Sequence, residues 1–371
     1  MVNIGISIGK ARSLRDGLGE YATQLCERYA SVASQLRSEH GVELYVHMHP
    51  KLHGAFGDGL HYLSARRGQR FLPWLGPKID LWHRLDHFNR LKAPLGTRRS
   101  AVTIHDLNYA YSKQGHSHMK GVQRVQRALN RHQYFATISH YVKADIGKQF
   151  PVDAEVEVVH NGARSLVETV ERDPIGNFAG KPFLFHLSRM SPSKNVGPIL
   201  DLARAWPEMN FVFAGPERSD TLAMRNLLKE SPLPNVELHL SITDEEKAWL
   251  YANCAGFVFP SLTEGFGLPP IEAMHFGKPV FLSEFTSLPE VGGAAAHYFE
   301  AFDVESMRAL IEPALAPEAS AANAEIVRAN AARFNWDDAA RNYLCLYGKW
   351  LGLDFTDIEF PMVDRVVEAH G

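Results

Sequence analysis

The chain has 371 residues, which favours two domains over one hydrophobic core, and its 45% hydrophobic and 22% charged content is typical of a soluble globular protein. No apolar run approaches the roughly 20 residues that span a bilayer, and the N-terminus lacks the ordered regions of a secretory signal. Cys26, Cys254 and Cys345 show neither metal-ligand spacing nor an even disulfide set, so we expect a protein of the reducing cytoplasm.

Basic and acidic residues are distributed unevenly along the chain. Residues 1–164 contain 23 Lys and Arg against 13 Asp and Glu, a formal charge of +10, whereas residues 165–371 contain 16 against 29, a formal charge of −13. This asymmetry supports a two-domain division and suggests that the first half meets an anionic partner. An alternative is that two oppositely charged domains attract each other across an interface.

Short apolar runs rich in β-branched and aromatic residues alternate with amphipathic stretches along the chain. In the first half, strands are predicted at 2–8, 42–48, 100–106, 134–139 and 156–161, with helices at 19–36 and 119–132. In the second half, strands are predicted at 182–188, 210–216, 236–241, 256–261 and 279–284, with helices at 219–231 and 243–254. This alternation predicts an α/β protein whose parallel sheets are covered by helices on both faces.

The polar segment 161–181 contains Pro174 and Gly176 and precedes a new strand, so we predict the domain linker there. Ligands of doubly wound sheets bind beyond the carboxyl ends of the strands. We therefore expect two such domains to face each other across a cleft, with functional residues in the loops that follow strands.

The segment PSLTEGFGLPPIEAMHFGKPV places Glu264 and Glu272 eight positions apart at the start of a predicted helix. Gly265 and Gly267 allow backbone amides to approach a ligand closely, and a helix N-terminus attracts an anion such as a diphosphate. Phosphate would repel a neighbouring carboxylate, so we expect Glu264 to face a neutral polyol or a developing cation. Glu272 is predicted in the first helical turn, where the dipole favours a carboxylate that can accept protons from a vicinal diol.

With its flanks FVFPS and AMHFGKPV, the pattern EGFGLPPIE resembles the signature of family 4 retaining glycosyltransferases, which use a nucleotide-diphosphate sugar. Further segments resemble that family in chain order: RDGLGEYATQL, VTIHDL, ATISHYVKADI, VVHNGA, FLFHLSRMSPSKNVGPIL and FNWDDAARNYLCLY. The resemblance implies the GT-B architecture of two Rossmann-like domains. It implies an acceptor-side domain at 1–170, a nucleotide-sugar domain at 171–335, and a helix at 336–371 that crosses back to the first domain.

The resemblance also implies the catalytic residues. Arg189 and Lys194 would neutralise the donor diphosphate as it leaves, which is usually a large contribution in such chemistry. Glu264 would bind the hydroxyls of the transferred sugar, and His105 would contact that sugar from the other domain. Taken singly, each of these residues also fits a structural role, such as a solvated loop or a capped turn.

The donor-binding residues follow from the same resemblance. The first loop would close over the phosphates, the glycine loop would surround sugar and phosphate with its amides, and a carboxylate would bind the ribose. These residues are Gly17, Gly19, Asn195, Gly265, Phe266, Gly267, Leu268 and Glu272. Where the family often has a glycine near the nucleobase, this chain has Leu240, which leaves the base open.

The implied reaction is hexose transfer to a hydroxyl acceptor with retention of configuration. We expect mannose from GDP-mannose first, and UDP-linked glucose or an N-acetylhexosamine second. No cofactor and no metal are expected, because Arg and Lys take the metal's place and the nucleotide sugar is a substrate. The alternatives are a UDP-sugar-dependent transferase acting on a soluble acceptor, a sugar-nucleotide epimerase of the same architecture, and a non-catalytic two-lobed binding protein.

Two basic segments of the first half suggest the acceptor. Lys120, Arg124, Arg127 and Arg131 recur at helical spacing, and the segment 64–78 mixes basic with aromatic residues. Such a combination suits an anionic membrane surface, so we expect a peripheral enzyme on the inner face of the membrane that acts on a lipid-linked saccharide in cell-surface polysaccharide assembly. The alternative is a solvated basic face, and no motif indicates nucleic-acid binding.

Overall fold

The computed structural model describes residues 1–11, 14, 17–65, 76–108, 116–150, 155–169 and 174–361. The chain forms two compact units: residues 1–162 together with the chain from Trp336 onward, and residues 163–335. The predicted division at 170/171 thus lies a few residues after the point where the chain passes from one unit to the next.

Each unit is built on a parallel sheet. In the described part of the first unit, seven strands pair in the order β3-β2-β1-β4-β5-β6-β7. These strands are β1 Val2–Ser7, β2 Val42–Met48, β3 His61–Ser64, β4 Leu81–Arg84, β5 Arg99–Ile104, β6 Tyr134–Thr137 and β7 Val156–Val158. The register places Ile4 of β1 opposite Leu44 on one side and Leu81 on the other.

The second unit repeats this arrangement with six strands in the order β10-β9-β8-β11-β12-β13. These strands are β8 Phe183–Leu187, β9 Asn210–Gly215, β10 Val236–Leu240, β11 Gly256–Phe259, β12 Val280–Ser283 and β13 His297–Phe299. All neighbouring pairs are parallel. The central strands are buried on both faces, as expected for a sheet covered by helices on each side.

The helices connect consecutive strands and cover the sheets. In chain order they are α1 Gly17–His40, α2 His116–Leu129, α3 His140–Gln149, α4 Gly197–Ala205, α5 Ser219–Glu230, α6 Asp244–Asn253, α7 Leu268–His275, α8 Leu288–Gly292, α9 Val304–Ala314, α10 Pro317–Ala332 and α11 Trp336–Leu351. Short 3₁₀ turns lie at Pro50–Leu52, Val167–Thr169, Pro192–Lys194 and Gly293–Ala295.

All ten predicted strands and all four predicted helices are present, with ends that differ by up to four residues. The sequence did not predict β3, β4 or β13. The omission of β4 matters most, because this four-residue strand lies between β1 and β5 near the centre of its sheet. Its sequence LWHR is buried throughout but shows neither an apolar run nor an alternation of polar and apolar residues.

A buried polar network attaches α11 to the first sheet. The Tyr21 hydroxyl donates to the Tyr343 hydroxyl at 2.7 Å, and Thr103 Oγ1 lies 3.0 Å from the same oxygen. His83 of β4 connects this cluster to α11 a second time, with Nε2 at 2.8 Å from Thr103 Oγ1 and Nδ1 at 2.7 Å from the Tyr347 hydroxyl. Burial lowers the pKa of His83 to about 3, so the folded protein holds this ring neutral.

The neutral state of His83 predicts a loss of stability in acid. The unfolded chain takes up a proton near the usual histidine pKa of about 6.5, whereas the folded chain does so only near 3. The contribution of this group is therefore present above pH 6.5 and declines below it, at roughly 1 kcal/mol per pH unit. Urea unfolding of the wild type and of His83→Asn at pH 5, 6 and 7 measures it.

We expect His83→Asn to be less stable at pH 7 and to depend less on pH. The exposed His53 provides the matched control, and His53→Gln should follow the wild-type pH dependence. An unchanged pH slope in His83→Asn would show that this histidine is not the group that titrates.

Candidate functional site

In both sheets the strand order reverses at one point. In the second unit β8 pairs with β9 on one side and with β11 on the other, and in the first unit β1 pairs with β2 and β4 in the same way. Ligands of such sheets bind beyond the carboxyl ends of the strands at this switch point. Arg189 and Lys194 follow β8, and Glu264 follows β11, so these three predicted residues lie beyond the two strands that flank the second switch point.

The structure brings Lys194 and Glu264 into direct contact. The Lys194 ammonium donates a hydrogen bond to Glu264 Oε1 across a separation of 70 residues in sequence, and the two side chains are 10% and 13% exposed. Lys194 Nζ also lies 5.5 Å from the centre of the Phe259 ring, a distance compatible with cation–π attraction. Lys194 and Glu264 thus form a partly buried ion pair.

Backbone hydrogen bonds explain why these two loops meet. The Leu262 amide donates to the Ser193 carbonyl at 2.8 Å, and the Ser261 hydroxyl donates to the same carbonyl at 3.1 Å. On the other side, the Glu264 amide donates to Thr286 Oγ1 at 3.0 Å. The segment that carries Glu264 is therefore held from both sides, and the sequence pattern gave no sign of either bond.

The glycine loop ends in a left-handed residue that starts α7. Gly267 has φ of +115° and precedes Leu268, where the helix begins, four residues before Glu272. The Phe266 carbonyl accepts a hydrogen bond from the Ser287 hydroxyl at 2.7 Å, which fixes the loop just before this turn. Because the helix starts at Leu268, Glu272 lies in the second helical turn, and its prediction as a first-turn residue favoured by the dipole is wrong.

Glu272 is instead held by side chains of α6. Its Oε2 accepts from the Tyr251 hydroxyl at 2.8 Å, and its Oε1 accepts from Lys247 Nζ at 3.3 Å. Burial works against the charge on Lys247, but Glu272 and Asp244 outweigh it and raise the pKa of the ammonium. A carboxylate has about four acceptor positions, so Glu272 keeps capacity for ligand hydroxyls.

Arg189 follows β8 on a turn that His186 fixes. Nδ1 of His186 donates to the Val258 carbonyl at 2.8 Å, so the neutral ring accepts from the Ser188 hydroxyl at Nε2, also at 2.8 Å. Ser188 Oγ in turn accepts from the Met190 amide at 3.0 Å, and burial lowers the pKa of His186 to about 4. The Arg189 side chain is exposed, and the structure gives no direct contact between it and Lys194 or Glu264.

The first unit contains the other predicted residues. His105 follows β5, is 9% exposed, and donates from Nε2 to the Leu85 carbonyl at 2.6 Å, which leaves Nδ1 as an acceptor in the neutral ring. Gly17 and Gly19 lie in the first turn of α1, so they are helical and not part of the preceding loop. A Cβ at Gly19 would come within 2.4 Å of the Leu14 carbonyl carbon, which explains this glycine by close packing.

The predicted basic face is present on and just after α2. Lys120, Arg127 and Arg131 are exposed, and the Arg124 guanidinium lies 5.8 Å from the centre of the Phe88 ring. Within the other predicted basic segment, 64–78, residues 66–75 lie outside the described part of the chain. Among the helices that the structure describes, none combines the length and apolar character needed to cross a membrane.

Comparison with known proteins finds a family match within the second unit. Residues 167–333 match the family model described as glycosyl transferases group 1. The second unit carries this family's pattern. It includes Arg189, Lys194, Glu264 and Glu272, whose geometry is given above.

Proteins similar in sequence to this chain include bacterial mannosyltransferases. The chain is 24% identical over 325 residues to the O-antigen chain mannosyltransferase B of Escherichia coli, a match that covers 82% of the chain and 79% of that relative. It is 33% identical over 169 residues to the serotype-specific mannosyltransferase WbdA of Escherichia coli, which covers 43% of the chain. That second match spans 20% of the length of WbdA.

Solved structures share the architecture of the chain. Sucrose-phosphate synthase from Thermosynechococcus elongatus has a TM-score of 0.72 at 17% identity and covers 95% of the chain and 100% of that structure. HepE from Anabaena, in complex with UDP and glucose, has a TM-score of 0.68 at 16% identity and covers 94% and 100%. The predicted GT-B fold, with two Rossmann-like parallel sheets, is confirmed.

Gly267 is the position where the loop should tolerate a side chain least. Alanine there would keep a strained φ of +115° and place its Cβ 2.8 Å from Leu288 Cδ2. We expect Gly267→Ala to lower the free energy of unfolding by about 1–3 kcal/mol. Gly197→Ala is the matched control, because Gly197 starts α4 with no atom within 4 Å of the added Cβ. Urea unfolding compares the two, and equal losses would contradict the assignment of strain to Gly267.

Proposed function

We propose that the protein is a glycosyltransferase that moves a mannosyl group from GDP-mannose to a saccharide hydroxyl. The observation that carries the proposal is the Lys194–Glu264 pair beyond the carboxyl ends of β8 and β11, within the residues that match glycosyl transferases group 1. A nucleotide sugar has an anionic diphosphate next to a ring of hydroxyls. An ammonium beside a carboxylate matches that order of groups, since the ammonium binds phosphate and the carboxylate accepts from hydroxyls.

The remaining donor contacts are assigned by the same logic. Arg189 joins Lys194 at the diphosphate, with Asn195 next to it in a left-handed turn of φ +53°. Amides of the glycine loop, from Gly265 through Leu268 at the start of α7, provide donors for sugar and phosphate oxygens. Glu272 accepts from the ribose hydroxyls while Tyr251 and Lys247 hold its orientation.

In the reaction, the bond between the anomeric carbon and the diphosphate oxygen breaks, and the nucleoside diphosphate leaves with the electron pair. The acceptor oxygen forms a bond to the same face of the anomeric carbon, and its proton passes to the departing phosphate oxygen. This front-face course retains the configuration and requires no enzyme nucleophile. Arg189 and Lys194 stabilise the charge that develops on the leaving group.

Mannose is proposed as the sugar because several relatives are named as mannosyltransferases. A UDP-sugar is the second candidate, because HepE binds UDP and glucose in a similar fold. We propose a lipid-linked saccharide of cell-surface polysaccharide as the acceptor, since two relatives are named for O-antigen chains. The enzyme would act in the cytoplasm at the inner face of the membrane.

Removal of either cation should slow transfer. We expect Lys194→Gln and Arg189→Gln each to lower kcat by about 10²–10³-fold, as loss of a group that stabilises developing charge does. The exposed Lys229 of α5 provides the control, and Lys229→Gln should keep wild-type activity. Release of GDP or UDP is measured with a panel of sugar nucleotides, with and without saccharide acceptor.

Acceptor-dependent release of nucleotide supports a transferase. Conversion of the donor in the absence of acceptor indicates an epimerase instead, and binding without turnover indicates a two-lobed binding protein. Equal activity of the Lys194, Arg189 and Lys229 variants would refute the assigned site.

Transfer should be independent of divalent metal ions. Arg189 and Lys194 supply the positive charge at the diphosphate, so we expect the same rate in an excess of EDTA over total metal. The assay compares chelator-treated enzyme with enzyme to which Mg²⁺ or Mn²⁺ is restored. A rate lost in chelator and recovered with metal contradicts the proposed role of the two cations.

A further inference from the structure

A cavity of about 470 Å³ lies beyond the carboxyl end of β4 in the first unit, against α2. Six of its eleven described lining residues are cationic, and none of the eleven is acidic. The six are Arg84, Arg90, Lys120, Arg124, Arg127 and Arg131. The basic face predicted on α2 is therefore one wall of a concave site. The opposite wall consists of Arg84, at the end of the unpredicted strand β4, and of residues 87–90 that follow it.

Arg84 distinguishes this cavity from a solvated basic surface. Its side chain ends β4, the residue is only 5% exposed, and its Nε has no hydrogen-bond partner among the described residues. Burial lowers the pKa of Arg84 to about 10, which still leaves the guanidinium charged at neutral pH. Folding places a buried cation here at a cost, and an anion in the cavity would offset it.

The neighbours of Arg84 do not neutralise the cavity. Asp86 is the nearest acidic residue in sequence and attracts the Arg84 guanidinium, but burial outweighs this attraction in its effect on the pKa of Arg84. The Asp86 Oδ1 accepts from the Phe88 amide at 2.8 Å, and Asp86 is not among the residues that line this cavity. Both ring nitrogens of His87, which does line the cavity, are buried and make no hydrogen bond in the described part of the chain, although Nδ1 lies 3.6 Å from Asp86 Oδ1. Arg84 and His87 thus both present polar atoms to the cavity that a ligand can bind.

A second cavity of about 620 Å³ adjoins the first and shares Phe88, Asn89 and Arg90 with it. Its lining includes Gly19 of the first turn of α1 and Asp86. The two cavities together extend from the cationic wall on α2 to the switch point between β1 and β4. A ligand with an anionic group in the first cavity can therefore extend into the second.

We propose that the cationic cavity binds a phosphate or diphosphate group of the acceptor, and that the adjoining cavity receives the saccharide attached to it. The acceptor part of this proposal rests on the proposed function. Arginine side chains suit such a group, because their planar guanidinium binds phosphate oxygens through two parallel hydrogen bonds. A discrete group that enters the cavity is favoured over a flat membrane surface, because a surface does not reach a residue as buried as Arg84.

Direct binding tests the anion site with inorganic pyrophosphate and inorganic phosphate as probes. Calorimetry on the full chain compares the wild type with Arg124→Gln/Arg127→Gln, in which Arg124 is half-buried near the Phe88 ring and Arg127 is exposed. Urea unfolding of both proteins checks that the variant is folded. Lys143→Gln/Lys148→Gln is the matched control, because it removes two exposed charges from the neighbouring α3. We expect pyrophosphate affinity to fall at least about tenfold in the α2 variant only.

Lys194→Gln separates this site from the donor site of the second unit, and it should retain the pyrophosphate binding that the α2 variant loses. Equal affinity in the wild type and the α2 variant, or equal losses in the α2 and α3 variants, would overturn the proposal. Arg84→Met gives a second test, since loss of the buried cation should remove the same share of pyrophosphate binding that the α2 variant loses.

Measurements of transferase activity show whether the phosphate that binds here belongs to the acceptor or to a membrane lipid. We expect the α2 variant to raise KM at least about tenfold for a saccharide on an alkyl diphosphate, with KM for the sugar nucleotide and for a neutral alkyl glycoside unchanged. Vesicles that contain anionic phospholipid without acceptor provide the other source. Loss of vesicle binding in the α2 variant, with unchanged KM for the diphosphate acceptor, would overturn the acceptor assignment in favour of membrane attachment.

The two proposals fail in distinguishable ways. If no sugar nucleotide supports transfer but pyrophosphate binding depends on Arg124 and Arg127, the anion site stands and the proposed function fails. If transfer proceeds and the α2 variant behaves as the wild type with every acceptor and probe, the function stands and the anion site fails.

Discussion

The candidate site depends on one topological constraint, the reversal of strand order that makes β8 a neighbour of both β9 and β11. Parallel pairing across this reversal brings the carboxyl ends of β8 and β11 side by side, although the loops that follow them are far apart in sequence. The hydrogen bond from the Leu262 amide to the Ser193 carbonyl closes the remaining gap between those loops. These backbone contacts bring Lys194 and Glu264 within reach of each other, and the opposite charges of the two side chains then favour their ion pair.

The Lys194–Glu264 pair is better explained by ligand binding than by a contribution to the stability of the fold. Partly buried ion pairs lose hydration that their mutual attraction only partly repays, so a pair such as Lys194–Glu264 is weak support for a fold. Glu272 repeats the pattern, since Tyr251 and Lys247 hold a carboxylate that a hydrophobic residue could replace in a purely structural helix. Two oriented carboxylates and one buried ammonium on loops and helix starts around one switch point indicate preorganisation for a polar ligand.

The sequence predicted the parts of the fold whose signal is local. Apolar runs predicted β8 and β11, and the glycines followed by prolines predicted a helix after Gly267. They did not predict that this helix begins at Leu268, which leaves Glu272 in the second turn. The sequence did not predict strand β4, because LWHR combines a cation and an imidazole with two apolar residues and forms a strand only by pairing with β1 and β5. For the same reason the sequence did not identify Arg84 at the end of β4 or Asp86 just after it as candidate site residues. The support of Arg189 by His186 was equally out of reach, because it is a hydrogen bond between β8 and β11.

Part of the surplus positive charge in the first half of the sequence lies around one cavity of the first unit. A surplus of cations in the first 164 residues fits a solvated face as well as a binding site, and periodicity on α2 alone does not separate the two. Burial separates them, since Arg84 at the end of β4 is only 5% exposed and the described residues that line its cavity include no carboxylate. The cation beyond β8 does have a carboxylate beside it, in Glu264. The two switch points therefore differ in chemistry: the second suits a ligand whose anion and hydroxyls are adjacent, and the first suits an anionic group whose hydroxyls lie further away, in the adjoining cavity.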